Sequence, residues 1–201
     1  MLSVGLTGGL ASGKSFVGRS LAGLGCFLIQ ADELGHQVIE PGGEAYNAVV
    51  ARFGREILNP DGRIDRRRLA ARVFANPEEL AKLNALVHPP VKAREQALAA
   101  GFAREQPNGI AVTEAAILVE TGSYTDYNRL IVAFCRPEQQ IERAMERDGV
   151  SREEVLNRLS RQMPLEDKVK YADFVIDTSG SKENTLQQVR TVYEALRRLN
   201  P

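Results

Sequence analysis

The sequence has few of the features that place a protein in a membrane, in an oxidising compartment or on nucleic acid. Its 201 residues include only two cysteines, Cys26 and Cys135, in no C-x-x-C or Cys/His pattern, which excludes a disulfide framework and a zinc site. No apolar run approaches the roughly 18 residues of a spanning helix, and no signal-peptide pattern opens the chain. The 26 basic residues equal the 26 acidic ones, so we expect no binding to nucleic acid or to a membrane.

The two cysteines flank apolar, strand-like runs, and we expect both to be buried as small hydrophobic side chains. Free thiols of this kind are typical of a reducing compartment, so the expected location is the cytoplasm. At this length, one domain with an insertion is favoured over two independent domains.

The sequence does contain a glycine-rich motif near its start. Residues 8–15 read Gly-Gly-Leu-Ala-Ser-Gly-Lys-Ser, a full match to the phosphate-loop pattern G-x-x-x-x-G-K-[ST]. Leu2, Val4 and Leu6 before it indicate a strand, and the apolar residues after it recur at helical spacing. A glycine-rich turn that arose by chance would not be expected to lie between a strand and a helix. The pattern therefore predicts a nucleotide-phosphate site.

The residue types in this motif suit the binding of phosphate groups. Small glycines let backbone N–H groups converge on phosphate oxygens at the N-terminus of a helix. Lys14 adds a positive charge at the β- and γ-phosphates, and the Ser15 hydroxyl is a ligand for Mg²⁺. The predicted nucleotide-binding residues are consecutive in the chain: Gly9, Leu10, Ala11, Ser12, Gly13, Lys14, Ser15 and Phe16.

Short apolar segments alternate with helical patterns along the rest of the chain. They predict strands at residues 2–7, 25–29, 109–114, 130–134 and 173–177. This alternation favours an α/β fold of three layers, the P-loop NTPase fold, with a five-stranded parallel sheet and right-handed crossovers. We expect a nucleotide-binding core at residues 1–40 and 106–201, a helical insertion at residues 41–105 and a helical lid at about residues 137–165.

The insertion and the lid are both rich in arginine. The insertion is the expected place for an anionic second substrate, although a run such as 66–68 is also typical of a solvated helix face. In the lid, an arginine brought over the γ-phosphate would neutralise developing charge, and a closing helical hairpin would exclude water. The lid arginines are Arg143, Arg147, Arg158 and Arg161. The alternative is an ordinary surface helix with ion pairs between neighbouring turns.

Two carboxylates follow predicted strands. Because ligands of open α/β sheets bind beyond the carboxyl ends of the strands, Asp32 is expected near the phosphates, or else as the N-cap of the next helix. Glu114 ends the third strand, where it could act on Mg²⁺ through water or be a plain polar strand end. His88 precedes Pro89 and is interpreted as the neighbour of a helix break, not as a catalyst.

A GTPase-like switch is the main alternative to a small-molecule kinase. Residues 32–35 match the D-x-x-G pattern of such proteins, but they begin only 18 residues after Lys14, too early for the third strand that carries it. No Asn-Lys-x-Asp tetrapeptide, which reads guanine in GTPases, occurs in the chain. The sequence therefore favours a kinase.

From end to end, the chain resembles the dephospho-CoA kinase family. The segments that carry this resemblance are Gly5-Leu6-Thr7-Gly8-Gly9, Ala31-Asp32, Val38-Ile39-Glu40-Pro41-Gly42, Phe53-Gly54, Asp61-Gly62-Arg63-Ile64-Asp65-Arg66, Leu83-Asn84, His88-Pro89, Gln140 with Arg143 and Arg147, Gln162, and Ala172-Asp173-Phe174-Val175-Ile176. The chain departs from the family at three positions, with Gln30 for the first acid of an Asp-x-Asp pair, Glu114 for an aspartate and Thr178 for an asparagine.

The resemblance implies ATP-dependent phosphorylation of the ribose 3′-hydroxyl of dephospho-CoA, the last step of coenzyme A synthesis, with Mg²⁺ as cofactor. It implies that Asp32 is the base, that Lys14, Arg143 and Arg147 act in catalysis, and that residues 9–16 bind ATP. The implied substrate-binding residues are Asp32, Arg66, His88 and Glu114, and the insertion is implied to bind the CoA moiety. The expected partners are the two small-molecule substrates, and the expected state is a monomer or a weak homo-oligomer.

Overall fold

The computed structural model describes residues 1–74 and 76–199. Within them, five parallel strands form one sheet in the order β2-β3-β1-β4-β5, which confirms the predicted five-stranded parallel sheet. The strands are β1 Leu2–Gly8, β2 Phe27–Gln30, β3 Ile110–Glu114, β4 Arg129–Phe134 and β5 Phe174–Asp177.

Helices connect the strands, as parallel strands require. Their bounds are α1 Lys14–Gly23, α2 Ala31–Gln37, α3 Tyr46–Phe53, α4 Arg66–Phe74, α5 Pro77–Glu105, α6 Pro137–Asp148, α7 Arg152–Leu159, α8 Leu165–Val169 and α9 Lys182–Leu199. None of these helices is long and apolar enough to cross a membrane.

The described chain divides into two compact units, residues 1–30 with 99–201 and residues 31–98. The predicted insertion, residues 41–105, differs from the second unit at both ends. The first unit contains the sheet, and its core alternates along β1, where Leu2, Val4 and Leu6 face the apolar residues of α1 and α9. The opposite side of β1 is close-packed at Gly5, which lies against Leu118, Leu130 and Tyr127.

The second unit has an apolar core of its own. Buried residues of α3, of α4 and of the segments next to them form it, and one face of α5 packs against them. These are largely the apolar positions at which the sequence shows helical spacing: Val49, Phe53, Ile64, Leu69, Val73, Leu83, Leu86 and Val87. The helical character predicted for this region follows from that spacing.

Both cysteines are buried with free thiols, as the sequence predicts. Cys26 belongs to the core of the first unit, and burial raises the pKa of its thiol to about 12. Burial also raises the pKa of Cys135, which is fully buried. Both side chains therefore serve as packing residues, since the reactive form of cysteine is the thiolate.

Candidate active site

The phosphate loop lies between β1 and α1, where the motif predicts it. Its backbone turns through two left-handed residues, Ala11 at φ 54° and Gly13 at φ 85°. Gly13 is the residue before α1, and no side chain caps this helix. The first backbone N–H groups of a helix have no intrahelical acceptor, so the loop offers several N–H donors and the positive end of a helix dipole to an anion.

One polar side chain of the loop is left without a partner. Ser12 is 1% exposed, and its hydroxyl has no hydrogen-bond partner among the described residues. Buried hydroxyls are normally satisfied in folded proteins. A phosphate oxygen of a bound nucleotide is the kind of group that would satisfy it.

Glu114 brings a carboxylate to the loop from the end of β3. Its Oε1 atom lies 3.0 Å from the Lys14 ammonium and accepts a 2.5 Å hydrogen bond from the Ser15 hydroxyl. Gln30, at the end of β2, donates its amide to the other oxygen at 3.4 Å. Glu114 is only 3% exposed, so this carboxylate depends on these three donors in place of water.

The lid contacts the loop at Leu10 and Ala11. Leu10 donates its N–H to Gln162 at 2.9 Å and accepts the amide of Gln140 on α6 at 2.8 Å, so both of its backbone polar groups are bound by side chains. The side chains of Leu10 and Ala11 pack against a small apolar cluster that α6 and α7 form, centred on Ile141, Ala144 and Val155. A Cβ at Gly9 would lie 2.5 Å from the Gln140 amide nitrogen, so a side chain there would displace the amide that binds Leu10.

Arg143 is held at the end of β5. Its guanidinium donates to the Thr178 hydroxyl at 3.1 Å and to the Thr178 carbonyl at 2.7 Å. The same hydroxyl donates to the carbonyl of Ser12 at 2.8 Å. Thr178 therefore joins the phosphate loop to a lid arginine.

Two other lid arginines, Arg147 and Arg158, form ion pairs with acids of α6 and α7. Arg147 binds both carboxylate oxygens of Asp148, at 2.7 Å and 3.0 Å. Arg158 pairs with Asp148 at 2.8 Å and with Glu154 at 3.2 Å. The hydrogen bonds between Arg147 and Asp148 are the main reason that the pKa of Arg147 is raised and that of Asp148 is lowered.

Three other predicted site residues, Asp32, Arg66 and His88, lie in the second unit. Asp32 is exposed and is the second residue of α2, so it is not the N-cap residue of that helix. Arg66 is exposed at the start of α4, and no ion pair to a described residue holds it. His88 is exposed on α5, which continues through Pro89 and Pro90 without a break. Phe16, in the first unit, is half-buried in the first turn of α1.

Lys168 is a site residue that the sequence does not reveal. It lies in α8 within a highly charged stretch that is typical of a surface helix, yet its side chain is fully buried. It forms an ion pair with Glu120 at 2.7 Å and donates to the backbone carbonyl of Ala116 at 2.7 Å. Burial lowers the pKa of Lys168, while Glu120 acts in the opposite direction.

The fold and the site define a class of protein. A five-stranded parallel sheet with a phosphate loop after β1, a helical insertion and helices over the loop is the architecture of a P-loop kinase. The family model described as dephospho-CoA kinase matches residues 2–184. The chain is also 41% identical over 201 residues to the dephospho-CoA kinase of Geobacter metallireducens, covering 100% of each chain. It therefore belongs to the dephospho-CoA kinase family and is an ATP-dependent kinase.

Solved structures agree with this assignment. A dephospho-CoA kinase from Campylobacter jejuni is similar with a TM-score of 0.70 and 27% identity, covering 99% of this chain and 98% of that chain. A crystal structure of a Thermus thermophilus protein has a TM-score of 0.82 and 33% identity, covering 97% of each chain.

Proposed function

We propose that the chain transfers the γ-phosphoryl group of ATP to the ribose 3′-hydroxyl of dephospho-CoA, which completes coenzyme A. The observation that carries this proposal is the convergence of Lys14, Ser15 and Glu114 at a phosphate loop in a chain that belongs to this family throughout. A loop, a cation and an acid in this arrangement suit phosphoryl transfer, where catalysis depends on positioning and charge stabilisation.

The phosphate loop is proposed to bind the triphosphate of ATP through residues 9–16. Its uncapped helix N-terminus and the unpartnered Ser12 hydroxyl both suit an anion with many acceptor oxygens. Lys14 would turn from Glu114 toward the β- and γ-phosphates, where a positive charge stabilises the transition state most.

Mg²⁺ is proposed to bind beside the γ-phosphate, with Ser15 and Glu114 as the residues of this chain that hold it. Both supply oxygen atoms, the ligands that Mg²⁺ prefers, and they already lie in contact. The described residues contain no cluster of three or more His, Cys, Asp or Glu side chains that could hold a metal, which suits an ion bound largely by phosphates and water. When bound, the ion supplies charge neutralisation at the transferred group.

Asp32 is proposed to orient the attacking ribose hydroxyl and to accept its proton. With Gln30 in place of the first acid, Asp32 is the remaining carboxylate of the family pattern after β2. Arg66 and His88 in the insertion, residues 41–105, are proposed to bind the anionic CoA moiety. Arg66 suits that role because it is exposed and no described carboxylate pairs with it, whereas Arg52, Arg63 and Arg72 in the same region are paired.

The lid, about residues 137–165, is proposed to bring Arg143 and Arg147 to the transferred phosphoryl group. We further propose that the protein is a monomer or a weak homo-oligomer in the cytoplasm, where its two free thiols stay reduced.

The test is a rate comparison with three acceptors. Purified protein with Mg²⁺ and ATP should phosphorylate dephospho-CoA, whereas AMP and shikimate should be poor acceptors. Equal turnover of AMP would assign the chain a nucleoside monophosphate kinase activity instead. The Asp32→Asn variant tests the base, since it keeps the size of the side chain but removes its basic oxygen. Its turnover should fall by roughly 10²- to 10⁴-fold with ATP affinity little changed.

A further inference from the structure

Lys168 uses all three of its ammonium protons inside the first unit. Its Nζ lies 2.7 Å from Glu120 Oε1, 2.7 Å from the Ala116 carbonyl and 3.4 Å from the Gly8 carbonyl. The side chain is fully buried, while Glu120 is 21% exposed. A lysine ammonium has three donors and no acceptor, so these partners account for its whole bonding capacity.

The two carbonyls belong to segments that carry the active site. Gly8 is the last residue of β1 and the first of the phosphate-loop motif, and Ala116 lies two residues after Glu114. The Thr7 hydroxyl also donates to the Ala116 carbonyl, at 3.2 Å. Lys168 therefore binds together the two chain segments that place the loop and its facing carboxylate.

Glu120 extends this arrangement to the lid. Its Oε1 atom accepts the backbone N–H of Met163 at 3.1 Å. Met163 directly follows Gln162, whose side chain accepts the N–H of Leu10 in the phosphate loop. The Lys168–Glu120 pair thus determines where the C-terminal end of the lid meets the phosphate loop.

A charged residue at this buried position is costly. Removing an ammonium from water carries a desolvation penalty, and burial lowers the pKa of Lys168 accordingly. An apolar side chain of the same length could fill the space without that penalty, but it could not bind two carbonyls and a carboxylate at once. Hydrogen bonds to the two carbonyls and the carboxylate offset this desolvation penalty. They also fix the positions of these three groups, which requires a side chain with several donors.

We propose that Lys168 is a positioning residue for phosphoryl transfer, which holds the phosphate loop, the segment after Glu114 and the end of the lid in one arrangement. This role rests on the proposed function, because the geometry it maintains is that of the ATP phosphates. Lys168 acts through Gly8 and Ala116 and does not touch the reacting atoms. Displacement of catalytic groups by about 1 Å can cost on the order of 10²-fold in rate.

The experiment uses two variants and one control. Lys168→Met removes the donors but leaves Glu120 as a partly buried charge without its partner. The double variant Lys168→Met/Glu120→Gln removes that charge as well and keeps an acceptor for Met163. Lys170→Met is the matched control, since Lys170 is an exposed lysine two residues on that pairs with Asp167. For each protein we would measure the midpoint of urea unfolding, the Kd for ATP by calorimetry, and kcat and KM for ATP.

We expect Lys168→Met to lower the stability, the affinity for ATP and kcat/KM for ATP, the last by about 10- to 100-fold. The double variant should regain most of the stability but not the ATP affinity or kcat/KM, and Lys170→Met should match the wild type. Recovery of kcat/KM together with stability in the double variant would show that Lys168 only supports folding. Should the single variant fail to fold, the double variant decides the same question.

The two proposals fail in different ways. If the wild type binds ATP but does not phosphorylate dephospho-CoA, the proposed function is wrong, and the ATP affinities of the variants still test Lys168. If the wild type is active and the double variant equals it in Kd and kcat/KM, the proposed function stands and the role of Lys168 is wrong.

Discussion

Glu114 is the residue at which most of the active-site contacts meet. It accepts hydrogen bonds from Lys14 and Ser15 on α1 and from Gln30 on β2, while its own strand lies between β2 and β1. Gln30 and Glu114 are paired residues in the register of β2 and β3. A carboxylate at position 30 would place like charges side by side, which destabilises neighbouring strands. The carboxamide of Gln30 instead donates to Glu114.

At Gly13 of the loop, both the backbone conformation and the neighbouring atoms disfavour a side chain. Its φ of 85° is unfavourable for other residues, and a Cβ there would lie 3.0–3.1 Å from three atoms of Thr178. We predict that Gly13→Ala lowers the free energy of unfolding by more than the ~1–2 kcal/mol that the left-handed conformation costs alone. Urea denaturation measures this change.

Gly122→Ala is the matched control for this prediction. Gly122 also has a positive φ, 74°, but nothing lies within 4 Å of a Cβ built there. It should therefore show the conformational cost without the crowding. Equal losses of stability in the two variants would mean that the contact between Gly13 and Thr178 carries no energetic weight.

At the scale of elements, the lid is joined to the phosphate loop by contacts from several places in the chain. Gln140 on α6 and Gln162 after α7 bind Leu10, and Arg143 binds Thr178 after β5. Arg147 and Arg158 instead pair with acids of α6 and α7. To close over ATP, such a lid would have to exchange these internal ion pairs for contacts between its arginines and the phosphates.

Arg147→Ala tests this lid. We predict a fall in kcat of at least about 10²-fold, in the range for loss of one electrostatic stabiliser of the transition state. The melting temperature should change little, because Asp148 keeps its ion pair with Arg158. Arg152→Ala is the control, since Arg152 makes only an exposed pair with Glu138 at 3.4 Å. A similar, small effect of both variants on kcat would identify α6 and α7 as an ordinary surface hairpin.

Local patterns predicted the elements well, and long-range contacts explain what they could not predict. The phosphate loop, the five strands and the helical character of residues 41–105 follow from spacing between near neighbours in the chain. Thr178 and Lys168 carry no such signal, because their partners Ser12 and Gly8 lie 166 and 160 residues away. Lys168 in particular is surrounded in sequence by charged residues, so only the fold shows that it is buried.

In the whole molecule, the proposed sites for ATP and for the CoA moiety of dephospho-CoA lie in different parts of the chain. The phosphate loop belongs to the first unit, whereas Arg66 and His88 belong to the second. Each unit has its own apolar core, so a surface substitution in the second unit should leave the phosphate loop intact.

We therefore predict that Arg66→Ala and His88→Ala weaken the binding of dephospho-CoA and leave the affinity for ATP nearly unchanged. Calorimetric titration of each ligand alone measures the two affinities. Arg63→Ala is the control, because Arg63 is an exposed arginine of the same region that already pairs with Glu40. Parallel losses of both affinities would show that Arg66 and His88 support folding and do not recognise the substrate.

Transfer of the phosphoryl group to dephospho-CoA can be followed with an isotopic label. ATP labelled in its γ-phosphate would be incubated with dephospho-CoA, Mg²⁺ and the purified protein, and the product examined by phosphorus NMR and mass spectrometry. We predict one labelled phosphate per molecule of product, attached to the ribose 3′-oxygen, and none when Lys14 is replaced by alanine. Release of the label as free phosphate, or its attachment to any other oxygen, would contradict this prediction.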